Sequence, residues 1–290
     1  MEKEDLIYTV EHTTRESANK NILETAPPVV YKYRTWADTY HQDCLLIPNI
    51  YFSHPKGLND PDDIHVPIEF NVEEINDDRF FDKVKEVVSI EFPRLIPGTP
   101  PFMAECVDLM SRIRKDPQGY FQKNYADLWE SNTYDCYGVF STAKNGLSKS
   151  LWAYYGKDHT GFCIGYAPVD IMNYVVCSMG VASYRDKPVK HSFLEPRGPK
   201  DMINDFVKGR QWEHEDEFRF VTLMIQNDND RAVPIPRSFI KEVIVGYKIS
   251  DDHLAQIKKA LRIFYQGKVP LYQVKNEPGG FRFDKKDLAY

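Results

Sequence analysis

The segment QWEHEDEFRFVTLMI, residues 211 to 225, sets Glu213, Glu215 and Glu217 two residues apart, ahead of a run apolar enough for the interior of a sheet. Read as one strand, it turns Glu213, Glu215, Glu217 and Arg219 to one face and Phe218 and Phe220 to the other, because side chains alternate. Such a face concentrates negative charge. In the structural reading, Glu217 pairs with Arg219 at a strand end and the other carboxylates are solvated. In the chemical reading, the apolar residues that follow mark a central strand, where charge needs a strong local reason. Repulsion among the three would then raise the pKa of at least one, a cost that a cationic transition state and Arg219 would relieve.

Other residues could complete such a site. In VVYKYRT, Arg34 closes a strand beside Tyr31, Tyr33 and Trp36, and its planar fork suits a phosphate as well as a structural carboxylate. In GVFSTAKNG, Ser141 and Thr142 end a strand as hydroxyl donors or cap the next helix. Trp152, Tyr154, Tyr155 and His159 follow, as core aromatics or as a stacking platform. Asn59-Asp60-Pro61 reads first as an Asx-type turn and second as a binding loop.

Several familiar motifs fail. HEDEF begins like a zinc-protease motif, but Phe218 stands where the second histidine belongs. No nucleophile elbow, dinucleotide glycine motif or phosphate loop occurs, and the eight histidines are dispersed. A magnesium nuclease built on Asp60, Asp62, Asp63, Glu215 and Glu217 lacks a basic track for the phosphate backbone. The net charge of −6 argues against a nucleic-acid-coating surface. Five scattered cysteines without a C-x-x-C pair fit a reducing cytoplasm. The first twenty residues have no apolar signal region, and no apolar run is of membrane-spanning length.

The chain divides into a polar arm over 1–28, one α+β domain over 29–275 and a tail over 276–290. VVYKYR, LLIPNIYFS, TYDCYGVFSTA, TGFCIGYAPV, residues 211 to 225, SFIKEVIVGYKI and VPLYQVK are predicted strands. A helical insertion spans about 71–130, with Phe80, Phe81, Val84, Val87 and Val88 on one helix face and Ala104, Val107, Met110 and Ile113 on another. GLSKSLWAYYGK is read as a short helix, KDMINDFVKG as a helix closed by Gly209, and the stretch after Ser250 as an amphipathic helix carrying Leu254, Ile257, Leu261 and Phe264.

In this order, VYKYRT, YFSHPKGLNDPDD, VFSTA…LWAYYGKDHTGFCIGY, VASY, FVKGRQWEHEDEFRF and IKEVIVGYKIS resemble the bacterial and phage-associated family known as domain of unknown function 2971, from about Val29 to about Phe264. That name carries no activity. The order Tyr33-Arg34, Ser141-Thr142 and Glu215-x-Glu217 also resembles that of arginine-type mono-ADP-ribosyltransferases, although Ala143 replaces the last serine of their Ser-Thr-Ser block. The second resemblance implies a split β-sheet core with peripheral helices and NAD as the substrate. It implies Glu217 against the ribose, Ser141 orienting it, Glu215 engaging the acceptor and Arg34 on a phosphate. Tyr33, Thr142, Trp152, Tyr155 and His159 complete the implied NAD-binding set. A toxin or phage-defence effector is expected, with an acceptor for ADP-ribose and an immunity or regulatory protein as partners. The alternatives are a binding module with a structural ion network and the nuclease.

Overall fold

The computed structural model describes residues 26–64, 68–128, 134–187, 189–194, 205–276 and 282–290. In chain order its strands are β1 (Val30–Arg34), β2 (Asn49–Tyr51), β3 (Ile68–Phe70), β4 (Gly138–Ala143), β5 (Phe162–Tyr166), β6 (Ser178–Val181) and β7 (Ser183–Arg185), then β8 (Val189–His191), β9 (Val207–Gly209), β10 (Glu217–Thr222), β11 (Ala232–Pro234), β12 (Ile240–Val245), β13 (Leu271–Lys275) and β14 (Asp284–Asp287). Eight of them form one mixed, mostly antiparallel sheet in the order β14-β13-β12-β5-β1-β4-β10-β6. Only β12 and β13 are parallel neighbours within it. The architecture is α+β.

Burial explains which strands are central. All five residues of β5 and all six of β10 are buried, which requires covering layers on both faces. One face packs Phe140, Phe162, Ile164, Phe218, Phe220, Val243 and Val245. Helices α1 (Thr39–Leu46) and, near the C-terminus, Asp251–Tyr265 supply Leu45, Ile257 and Leu261 to that core. The Asp251–Tyr265 helix starts where Ser250 accepts a bond from the His253 amide, and buries Ile257, Ala260, Leu261 and Tyr265 at helical spacing. Phe264 lies outside that stripe, under the Arg237 guanidinium. The other sheet face packs Tyr33, Trp152, Cys163 and Ile244.

The insertion has a core of its own. Helices α2 (Phe80–Glu91) and α3 (Pro100–Lys115) bury Phe80, Val84, Val88, Phe102, Cys106, Leu109 and Ile113, joined by Phe121 of the following helix. The stripe on α3 is therefore rotated from the expected Ala104, Val107, Met110 and Ile113, and Val107 is 55 % exposed. Both stripes have helical spacing, but burying Phe102 and Leu109 removes more apolar area from water than burying Ala104 and Val107.

Other expectations change too. LLIPNIYFS is not one strand: Leu45 and Leu46 end α1, which Asp38 caps through the Tyr40 amide, and only Asn49–Tyr51 is extended. The KDMINDFVKG helix is not present in its described part. Residues 207–209 are β9, and Gly209 has φ −61°, so it is no left-handed cap. The C-terminal tail contributes β14 to the sheet edge beside β13. Within the N-terminal arm, residues 1–25 lie outside the described residues.

Candidate functional site

The sheet order makes β1, β4 and β10 neighbours, so three stretches distant in sequence meet. Strands β4 and β10 pair along six residues, placing Glu217 opposite Ala143 and Arg219 opposite Ser141. Strands β1 and β4 register at a single pair, Tyr31 with Ala143, and then part. Lys32 Nζ donates across this seam to the Ser141 carbonyl at 2.5 Å. By register, Glu217 and Ser141 belong to one sheet face and Arg34 to the other. The open seam lets both faces reach a common cleft.

That cleft encloses about 260 Å³. Arg34, Tyr33, Ser141, Thr142, Glu215, Glu217 and Tyr155 all line it. Lys32 and Lys208 join them, and the loop over residues 53–63 contributes Ser53, Gly57, Leu58, Asn59 and Asp63. Trp152 and His159 stand elsewhere. Trp152 is fully buried, with its indole N–H donated to the Gly146 carbonyl and its ring edge-on to Tyr33. His159 packs its ring on Tyr247 and Phe283. Neither reaches the cleft, because one fills the core and the other closes an aromatic cluster.

The glutamate spacing has a different geometry from that expected. Residues 210–215 form a 3-10 turn, Asp216 is left-handed at φ 45°, and β10 begins only at Glu217. Glu213 therefore leaves the group and faces Arg210 on the surface. Glu215 and Glu217 are brought together not by strand alternation but by Lys208, whose ammonium bonds Glu215 at 2.6 Å and Glu217 at 3.0 Å. Arg219 grips Glu217 through Nε and Nη2 at 3.0 and 2.9 Å, and Asp63 at 2.7 and 3.2 Å. Asp63 also lies 3.5 Å from Lys208. Three buried carboxylates thus surround two buried cations, leaving one negative charge in excess.

Glu217 is not a glutamate whose pKa repulsion raises. Burial favours its neutral form, but Arg219 and Lys208, with the Ser141 hydroxyl as a donor, hold its pKa down at about 2. Both cations are displaced the other way: burial works against their charge, yet the surrounding carboxylates keep Lys208 and Arg219 more strongly protonated than usual. Glu215 takes a further bond from the Tyr155 hydroxyl at 2.5 Å, and Asn59 donates to that same hydroxyl at 2.7 Å. Thr142 donates its hydroxyl to the Phe218 carbonyl and stitches β4 to β10. Tyr33 donates to the Asn145 carbonyl at 2.6 Å. Arg34 differs from all of these. Its Nε is buried without a hydrogen-bond partner.

Lys208 and Lys32 were not singled out from the sequence. Lys208 lies in a three-residue strand that helical spacing obscured, and Lys32 sits between two tyrosines in a strand whose pattern is all that it shows. The magnesium reading loses its geometry, since Asp63, Glu215 and Glu217 face fixed cations and Asp62 is exposed. Among the described residues no group of three or more His, Cys, Asp or Glu side chains is placed to hold a metal ion. None of the described helices is long and apolar enough to cross a membrane. Comparison of the chain with protein-family models, with curated proteins and with solved structures gives no match.

Proposed function

We propose that the cleft binds NAD and that the chain is an ADP-ribosyltransferase-like enzyme, a toxin or phage-defence effector. It would break the bond between nicotinamide and ribose and transfer ADP-ribose to an acceptor. The observation that carries this reading is the meeting of Arg34, Ser141 and Glu217 at one cleft, where Ser141 is among the groups that favour the ionised form of Glu217.

As the bond breaks, its electron pair leaves with nicotinamide and positive charge grows on the ribose. An ionised carboxylate held beside the sugar then stabilises the transition state more than the ground state. At about 4 Å and an effective dielectric near 20, one such contact is worth about 4 kcal/mol, or about a thousandfold in rate. Arg219 and Lys208 reduce the field of Glu217, so that figure is an upper bound for the contact. Glu215, fixed between Tyr155 and Lys208, would take the proton that the acceptor nucleophile loses as it bonds to the sugar carbon. Arg34 would take a phosphate. The cleft is small by the standard of ligand pockets, which suits the reacting half of the dinucleotide.

The test is nicotinamide release from NAD by wild type, Ser141→Ala and Glu217→Gln. Glu217→Gln should lose about a thousandfold in kcat. Ser141→Ala removes an orienting bond without removing a charge, and should lower kcat roughly ten- to a hundredfold with the Kd for NAD unchanged. Equal turnover in all three, or no binding of NAD to folded wild type, would overturn the reading. A structural ion network is the second reading, and the saturation of Glu217 by Arg219 and Lys208 favours it. It predicts lower melting temperatures in the glutamate variant and no NAD turnover in any of the three.

A further inference from the structure

Lys32 has no part in the reaction outlined above, yet it occupies the seam through which both sheet faces meet the cleft. It lies two residues from Arg34 on the same strand, so both side chains leave the same face, and both line the cleft. The buried Arg34 Nε has no hydrogen-bond partner. Leaving such a donor unsatisfied is costly, which points to an acceptor supplied from outside the chain. Lys32 carries three potential donors, and the contacts seen for it are the Ser141 carbonyl and the face of Phe140, 5.6 Å from Nζ to the ring centroid. Among the described residues no carboxylate pairs with it at salt-bridge distance. Two cationic side chains thus face one cavity with donors to spare, while the carboxylates on the opposite wall are already held by Lys208 and Arg219.

We propose that Lys32 and Arg34 form a proton-coupled subsite for a phosphate-bearing ligand, in which binding of the anion places a proton on Lys32. The proposal deepens the NAD reading and rests on its assignment of a phosphate to Arg34. Every element around Lys32 bears on its charge. Burial acts first against the ammonium, and Arg34 on its own strand repels it. Glu217 of β10, Glu215 of the 3-10 turn and Cys44 of α1 favour it, and His41 of α1 is a further titratable neighbour. The balance holds the Lys32 pKa down at about 7, so the free protein carries a mixture of amine and ammonium at neutral pH. A phosphate between Lys32 and Arg34 supplies the missing counter-charge and shifts that mixture to ammonium. No bond of the ligand breaks: the Nζ lone pair takes one proton from the buffer acid, which is left as its conjugate base, as the anion enters.

Titration calorimetry with ADP-ribose tests this, because its pyrophosphate has no titration of its own near neutral pH. At pH 8, heats measured in buffers of different ionisation enthalpy should show close to one proton taken up per ADP-ribose bound, falling toward none at pH 6. Wild-type affinity should weaken by more than tenfold between pH 7 and pH 9. Sulfate should bind the free protein with the same proton uptake and displace ADP-ribose with no net exchange of protons. Lys32→Arg keeps a permanent charge and should bind without proton uptake and with a flat pH dependence. Lys32→Met suits the apolar side of the seam and should bind more weakly, again without uptake. Uptake unchanged in both variants, binding by wild type without uptake, or no binding of ADP-ribose or sulfate would overturn the subsite. Nicotinamide release separates the two ideas: proton-coupled binding without turnover sinks the enzyme reading alone, and turnover with proton-free binding sinks this one alone.

Discussion

Glu217 is ionised throughout the range in which the protein would work, since its pKa lies near 2. It therefore cannot serve as a proton donor, and any role in catalysis is electrostatic. Its partners are costly to remove. Arg219 is fully buried and satisfies Glu217 and Asp63 together, so Arg219→Met leaves three buried carboxylates, Asp63, Glu215 and Glu217, with Lys208 alone. Breaking a buried pair from one side costs about 3–5 kcal/mol, and urea denaturation should show a loss of that order. Arg210→Ala provides the contrast. Arg210 pairs with Asp186 and Glu213 in solvent, where ion pairs contribute little, and its removal should leave the urea midpoint where it was. Similar losses in both variants would show that the buried cluster is no more tightly coupled than the surface.

The elements explain which features of the site could be read in the sequence. Strands β1, β4, β5, β10 and β12 are runs of aromatic and β-branched residues, and their identity follows from composition. The convergence of Arg34, Ser141 and Glu217 depends on those strands being neighbours, which their chain order suggested through resemblance and which periodicity alone does not specify. Residues 205–216 were illegible for a physical reason. A three-residue strand, a 3-10 turn and a left-handed Asp216 have no repeat long enough to show a period, so Lys208 stayed hidden and Glu213 was placed on the wrong element. Close packing between elements is equally invisible. A Cβ at Gly161, just ahead of β5, would stand 2.2 Å from the Arg34 carbonyl oxygen. Gly161→Ala must therefore push the end of β1, at about 1–3 kcal/mol of overpacking, and should displace the Arg34 guanidinium with it. Expected outcomes are a lower melting temperature and weaker ADP-ribose binding. A folded Gly161→Ala protein with wild-type affinity would mean that the end of β1 does not position the ligand.

At the scale of the whole molecule, three buried groups give stability an unusual dependence on pH. Burial raises the carboxyl of Asp205 from 3.8 to about 7, against the pull of Arg219 and a bond from Tyr137. Its folded form keeps a proton that the unfolded chain has released, so stability falls as pH rises from 3.8 to about 7. Lys32 works in the opposite sense. Its folded form releases a proton that the unfolded chain keeps, so stability rises from about pH 7 to 10.5. Glu217, with a lowered pKa, adds stability above 4.5 that is lost as pH falls toward about 2. Each limb has a slope of at most about 1.4 kcal/mol per pH unit. Together the limbs place a local minimum of stability near pH 7. Buried Cys163 and half-buried Cys177, whose thiols burial pushes up, work against that rise once the unfolded chain's thiols ionise near pH 9, so urea unfolding at pH 5, 7 and 8.5 should give a midpoint lowest at pH 7. Asp205→Asn should remove the decline between pH 5 and 7 and leave the rise above it, whereas Lys32→Met should remove only the rise. Saturating ADP-ribose, at about a hundred times its Kd, should add about 2.7 kcal/mol, with the wild-type gain larger at pH 7 than at pH 9.5 for a fixed ligand concentration. A wild-type midpoint that changes in one direction from pH 5 to 8.5 would show that the two buried groups do not carry these opposing proton balances.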